Sequence, residues 1–381
     1  MKQLIVFLTL LFSVVSLSAR DSFSGVTGDE WRDTDITLHN VSGQVVKQQV
    51  VTGKRNIIDL AVPAGALHAM PLLADETAPD YAAYLFTYFT GNNQTEEQIR
   101  FAVSGDGFEF TALNDGQPVI NSADIADKKA VRDPHILRCE DGETFYMVAT
   151  DMKSSEGWSS NRGIILLKSS DLVNWTSAKV NIPTAFPTFG TIDRAWAPQT
   201  IYDPVAGKYM VYFSMHVPNG KDIIYYAYAN SSFTALETTP QQLYFPADGN
   251  SCIDGDIIPK DGKYYLFYKT EGNGNGIRVA AAESVTGPYL LQSTDYVSQT
   301  TEAAEGSCVY KLNHSDTYVL MYDVYNKGKY EFCTSTDLKN FTLTDKGKMN
   351  FHPRHGTVLS ITSEELSRLI EKWEDKCGSN H

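Results

Sequence analysis

Asp133-Pro-His-Ile-Leu137 is a short apolar strand that opens on a charged residue, and it has four counterparts downstream. They read Trp196-Ala-Pro-Gln-Thr-Ile201, Asp254-Gly-Asp-Ile-Ile258, Glu305-Gly-Ser-Cys-Val-Tyr310 and His355-Gly-Thr-Val-Leu-Ser-Ile361. From Asp133 the openers follow one another at steps of 63, 58, 51 and 50 residues, the period of propeller blades and related arrays. In a propeller the innermost strand of every blade starts near the central axis. Two Asp, one Glu, one His and one Trp, far apart in the chain, are therefore expected around one cavity.

The remainder of each unit repeats as well. A turn and an aromatic-rich strand follow the openers at Asp141-Gly-Glu-Thr-Phe-Tyr-Met-Val148, Gly207-Lys-Tyr-Met-Val-Tyr212, Asp261-Gly-Lys-Tyr-Tyr-Leu-Phe267 and Ser315-Asp-Thr-Tyr-Val-Leu-Met321. A further copy, Asp80-Tyr-Ala-Ala-Tyr-Leu-Phe86, precedes all of them. A third strand ends in Ser-x-Asp-x-x-x-aromatic-Thr at Ser104 to Thr111, Ser169 to Thr176 and Ser335 to Thr342. Its Asp and Thr suit tight turns and its aromatic suits packing between blades. Asn230-Ser-Ser-Phe233 and Glu283-Ser-Val-Thr-Gly-Pro-Tyr289 are divergent versions.

The phase of the repeats predicts how the ring closes. His355 opens an inner strand with no second or third strand after it, whereas residues 80–113 carry those strands without an opener. Joining the two completes a fifth blade and removes open sheet edges. The fold expected is an all-β, five-bladed β-propeller, its ring closed by N- and C-terminal strands and spanning residues 79–362. The 21 Tyr and 18 Phe suit its sheet packing.

Outside the ring, residues 1–19 are laid out as an export signal. Lys2 supplies the positive start, Leu4 to Val15 the short apolar stretch and Leu17-Ser-Ala19 a small-residue cleavage site, so a periplasmic or secreted protein is expected. That stretch is too short for a transmembrane anchor. Residues 20–78 form either a small β appendage, with strands at 35–39 and 57–62, or an ordered arm. Residues 363–381 form a helix and tail: Thr362-Ser-Glu-Glu365 is a capping box, and Leu366, Leu369, Ile370 and Trp373 fall on one helical face. Five cysteines without close pairing make no disulfide framework or metal cluster. The net charge of −14 without a basic stripe argues against nucleic acid. A monomer is expected.

Val131-Arg-Asp-Pro-His-Ile136, Trp196-Ala-Pro-Gln199, Ile253-Asp-Gly-Asp256, Glu305-Gly306 and Arg354-His-Gly-Thr-Val358 together resemble glycoside hydrolase family 43 over residues 80–362. That resemblance implies removal of α-L-arabinofuranosyl or β-D-xylosyl units from plant polysaccharides or oligosaccharides. It implies Asp133 as general base, Glu305 as general acid and Asp254 as the residue that orients the acid and raises its pKa. It also implies a central cation, Ca²⁺, or an ordered water at His355; a hydrogen-bonded core histidine is the other reading, and no obligate cofactor is expected. Gly255 and Ser307 depart from the family, which usually has Pro at the first position and commonly at the second.

Three acids fit inverting hydrolysis, which needs one ionised carboxylate to activate water and one protonated carboxyl to protonate the leaving oxygen. A third carboxylate beside the acid disfavours its ionised form. Trp196 is either a sugar-stacking platform or blade packing. Arg354 and Trp158 are further substrate-binding candidates, Arg132 and Arg354 also reading as salt-bridged supports. Asp256, two residues after Asp254, is its competitor or a solvated or turn-bonded aspartate deeper in the blade. Two alternatives remain. A retaining fructan-hydrolase-like enzyme needs an Asn-Asp-Pro-Asn-Gly nucleophile strand and a Glu-Cys acid motif, both missing from this sequence. A non-catalytic carbohydrate-binding propeller does not need three carboxylates at inner-strand starts.

Overall fold

A computed structural model of the chain describes residues 79–272 and 274–374, together with four strands nearer the N-terminus. Five sheets of four antiparallel strands form the propeller. Blade one comprises Val131–Arg138, Phe145–Asp151, Gly163–Ser169 and Thr176–Asn181, blade two Arg194–Asp203, Lys208–His216, Ile223–Tyr228 and Gln241–Tyr244. Blade three comprises Ser251–Lys260, Lys263–Glu271, Ile277–Ala282 and Leu290–Leu291, blade four Glu305–Lys311, Tyr318–Val324, Lys329–Ser335 and Thr342–Thr344. Blade five combines the two ends of the ring: inner strand Arg354–Thr362 pairs with Tyr81–Phe89, which continues to Arg100–Ser104 and Glu109–Ala112. Lys348–Met349 adds a short parallel strand to its outer edge. Ser360 stands opposite Tyr84 and Thr87 opposite Phe101, as the repeat phase predicts.

Each inner strand carries a β-bulge at the same level. In every blade two inner-strand residues oppose one residue of the second strand: Asp133-Pro134, Ala197-Pro198, Asp254-Gly255, Gly306-Ser307 and His355-Gly356. The first residue of the pair is left-handed in four blades, with φ 51° at Asp133, 47° at Ala197, 54° at Asp254 and 61° at Gly306. Bulges re-aim side chains and recur beside active sites. The sequence alignment of openers is thereby corrected by one residue in two blades. Trp196 and Glu305 sit just before the bulge, level with Arg132, Ile253 and Arg354, whereas Asp133, Asp254 and His355 are the first bulge residues. Both departures from the family pattern fall at the second bulge position, and the bulge forms in their blades as in the others. Two glycines here are sterically required. A Cβ on Gly306 would lie 2.8 Å from Cγ of His355, and one on Gly356 would lie 1.9 Å from the carbonyl oxygen of Thr87.

Below the bulges a cyclic girdle joins the blades. The Thr200 amide donates to His135 Nδ1 (3.2 Å), Ile257 to the Tyr212 hydroxyl (2.9 Å) and Val309 to Asp256 Oδ2 (2.7 Å). Val358 donates to Cys308 Sγ (3.3 Å) and Ile136 to Thr357 Oγ1 (2.9 Å). Inner-edge amides that would otherwise be unpaired are thus satisfied around the full ring. Asp256 is buried in this girdle rather than solvated, and burial pushes its pKa up to about 7 against the bond from Val309 and the charge of His355.

The third-strand motif is a hydrogen-bonded turn repeated in three blades. Ser104, Ser169 and Ser335 hydroxyls donate to Asp106, Asp171 and Asp337, whose Oδ1 atoms accept two backbone amides each. Helix Ser363–Trp373 starts at the expected box, Thr362 and Glu365 capping one another. Leu366, Leu369 and Trp373 pack on the cluster containing Leu85, Val131 and Phe145. Ile370 does not join them and is exposed.

In the N-terminal unit, Phe7–Leu10, Ser13–Ala19, Thr34–His39 and Val45–Val51 form an antiparallel sheet in chain order. Thr34–His39 coincides with the expected first strand of the appendage, and 57–62 lies outside the described residues. Cys139, Cys252, Cys308 and Cys333 are free and buried, and Cys377 lies outside the described residues.

Candidate active site

The pocket on the propeller axis is lined by Arg132, Asp133, Met152, Trp158, Trp196, Ile253, Asp254, Glu305 and His355. Both residue levels at the bulges contribute, which explains why openers of different phase still converge. At the mouth Trp158 is 52% exposed and meets Trp196 edge-on, with ring centres 6.3 Å apart. The guanidinium of Arg194 lies 4.1 Å over the Trp196 ring and is itself paired with Asp222. Indole Nε1 of Trp196 is buried without a partner.

At the base, Nδ1 of His355 stands between two carboxylates, 3.5 Å from Asp133 Oδ1 and 3.9 Å from Asp254 Oδ2. Burial alone would lower the histidine pKa, but Asp254, Asp133 and Glu305 override it and push it up to about 9. His355 is therefore an imidazolium near neutral pH. Burial raises the Asp133 pKa, but the hydrogen bond and charge of His355, the charge of Arg132 and the Thr150 hydroxyl (2.8 Å) hold it below the usual carboxylate value. The same Thr150 oxygen accepts the Ala197 amide at 2.9 Å, so one threonine ties Asp133 to the bulge of the next blade.

Asp254 is driven the other way. Burial, with the neighbouring charges of Glu305 and Asp133, pushes its pKa up to about 6 against the pull of His355 and Lys269. Its Oδ2 accepts the amide of Gly306 at 3.0 Å, and its carbonyl accepts the Ser307 hydroxyl at 3.4 Å. Asp254 thereby holds the backbone that carries Glu305.

Glu305 is gripped from two blades. Oε1 accepts Arg354 Nη2 at 2.8 Å, and Oε2 accepts Lys269 Nζ at 3.1 Å. Arg354 also gives Nε to the buried carboxylate of Asp323, so its guanidinium is occupied as a support of Glu305 and is not among the pocket-lining residues. Burial pushes Asp323 up to about 6, with Arg354 opposing. Arg132 is likewise a salt-bridged support, bonded to Glu97 (3.1 Å) and Asn92 (2.8 Å) and lying over Phe89.

Sequence reasoning missed Lys269, Thr150, Asp323 and Glu97. None opens an inner strand; Lys269, Thr150 and Asp323 stand directly opposite Ile253, Arg132 and Glu305 on second strands. That cross-strand relation, one residue beyond the residue that faces the bulge, is the signal that finds them once the pairing is known.

The donor set at His355 does not fit a directly coordinated cation. Among the described residues no three His, Cys, Asp or Glu side chains are arranged to bind a metal.

The profile of a family described as a probable glycosyl hydrolase domain, related to glycoside hydrolase family 43, matches residues 79–367. The chain belongs to this family. The matched glycosyl hydrolase domain covers the whole ring and the start of the C-terminal helix. An α-L-arabinofuranosidase of Bifidobacterium longum is 29% identical over 265 residues, which are 60% of this chain and 23% of that protein. The chain thus spans about a quarter of that curated relative. Among solved structures, an endo-1,4-beta-xylanase from Bacteroides thetaiotaomicron superposes with a TM-score of 0.51 at 14% identity, covering 71% of this chain and 97% of that one. A xylan beta-1,4-xylosidase from Bacillus halodurans gives 0.51 at 15% identity, covering 73% and 57%. These likenesses carry the propeller fold. Among the described residues no helix is long and apolar enough to cross a membrane.

Proposed function

We propose that this domain removes terminal α-L-arabinofuranosyl units from plant polysaccharides or oligosaccharides by single-displacement, inverting hydrolysis, with β-D-xylosyl as the second substrate class. The observation that carries the mechanism is the opposite treatment of two carboxylates in one pocket: Asp133 beside an imidazolium with its pKa lowered, and Asp254 with its pKa raised to about 6 while holding the acid's backbone. In this reading Asp133 stays ionised and takes a proton from a water as that water attacks the anomeric carbon. The glycosidic C–O bond breaks, its electron pair taking the proton of Glu305. Asp133 ends the cycle protonated and Glu305 ionised, and exchange with solvent restores both.

A pocket at the end of the axis, with Trp158 and Trp196 at its walls, supports recognition of one terminal sugar. The name of the Bifidobacterium relative supports arabinofuranose. Export rests on the layout of residues 1–19, and a monomer working without an obligate metal completes the proposal. The deciding experiment is hydrolysis of aryl α-L-arabinofuranoside and β-D-xyloside with the first-formed anomer followed by NMR. Inversion on the arabinofuranoside is expected. Retention refutes the mechanism, and sugar binding without turnover makes the domain a carbohydrate-binding propeller.

A further inference from the structure

Lys269 reaches the site from outside the inner strands. It lies on the second strand of blade three, opposite Ile253, and its side chain is only 5% exposed. Its ammonium reaches Glu305 at 3.1 Å and Glu271 at 2.7 Å, with the ring of Tyr325 centred 4.9 Å away. A buried ammonium is costly unless its partners are retained. Glu305 cannot be a constant partner if it acts as the proton donor, because it must be neutral when substrate binds. Glu271 shares the same nitrogen and lies two residues along the same strand, 36% exposed.

We propose that Lys269 and Glu271 are a positioning pair for the proton donor Glu305: Lys269 fixes the direction of its carboxyl group, and Glu271 retains the ammonium while Glu305 carries its proton. This inference rests on the reading of Glu305 as general acid. Lacking Glu271, the buried ammonium would pin Glu305 in its ionised form. Lacking Lys269, Arg354 alone would orient it. The other charged or titratable groups around Glu305 are Asp254 on blade three, Asp323, Tyr325 and Tyr330 on blade four, and Arg354 and His355 on blade five. Substitution of Lys269 or Glu271 leaves all of them in place.

The test is the pH dependence of kcat/KM for Lys269→Met, Lys269→Arg and Glu271→Gln, with Glu305→Gln in parallel. The alkaline limb should move up by about one pH unit in Lys269→Met and down by about one unit in Glu271→Gln, the size of effect one adjacent charge exerts. Lys269→Arg should restore the native limb. A merely structural pair would lower stability without moving the limb in opposite directions. Limbs unmoved in folded variants overturn the inference. If Lys269→Met does not fold, an unmoved limb in the half-exposed Glu271→Gln variant overturns it alone. Glu305→Gln separates the two readings. Native activity in that variant removes the general acid itself, whereas loss of activity there with unmoved limbs elsewhere removes only the role of Lys269 and Glu271.

Discussion

Replacing His355 by Gln should change how stability depends on pH. The imidazolium lies between Asp133 and Asp254, and its pKa is pushed up to about 9 from an ordinary 6.5. A group whose folded pKa is raised contributes stability that is fully present below the unfolded pKa and is lost as pH rises through the folded one. The window therefore runs from about pH 6.5 to about 9. At 1.36 kcal/mol per unit, this displacement is worth about 3 kcal/mol. Asp254 and Asp323, with pKa values of about 6, titrate below the window, and Asp256, at about 7, titrates inside its lower end. Groups away from His355 are common to both proteins and cancel in the difference, whereas Asp133, Asp254, Asp256 and Asp323, whose pKa values the imidazolium lowers, rise in the variant and make this figure an upper bound. Urea unfolding of the native protein and of His355→Gln at half-unit steps from pH 6 to 9.5 measures it. The variant should be less stable at pH 6.5, and the gap should narrow by up to about 3 kcal/mol by pH 9.5. A gap constant across the window would refute the charged imidazole and, with it, the reason given for the low pKa of Asp133.

Glu305→Gln should cut hydrolysis of natural glycosides by about 10²-fold or more while sparing aryl substrates with good leaving groups, because little proton donation is needed there. Asp133→Asn should damage both equally, and equal losses for the two variants on every substrate would reject the assignment. A chain beginning at Lys129 lacks three strands of blade five and should be aggregated or unfolded by gel filtration and circular dichroism; soluble active protein would refute the ring closure. Treatment with EDTA should leave most activity, and complete inactivation restored by Ca²⁺ alone would make an axial ion part of the machinery.

The sequence by itself determined the propeller and its closure, because a repeat that ends in an inner strand and begins without one has a single way of joining. It also brought the carboxylates together: the heads of the inner strands gather at the axis, so the convergence of Asp133, Asp254 and Glu305 on one pocket was legible from spacing. The tertiary structure decided what surrounds them. A bulge adds one residue to an alternating strand and re-aims the side chains beyond it, which left the phase offset of Trp196 and Glu305 invisible to a count of residues. Lys269, Thr150 and Asp323 reach the site from second strands, where register with the inner strand, not any local motif, selects them. The opposite pKa shifts of Asp133 and Asp254 have the same origin. Both are bulge aspartates in similar sequence, and only burial, the imidazolium between them and the charges arriving from other blades give them different chemistry.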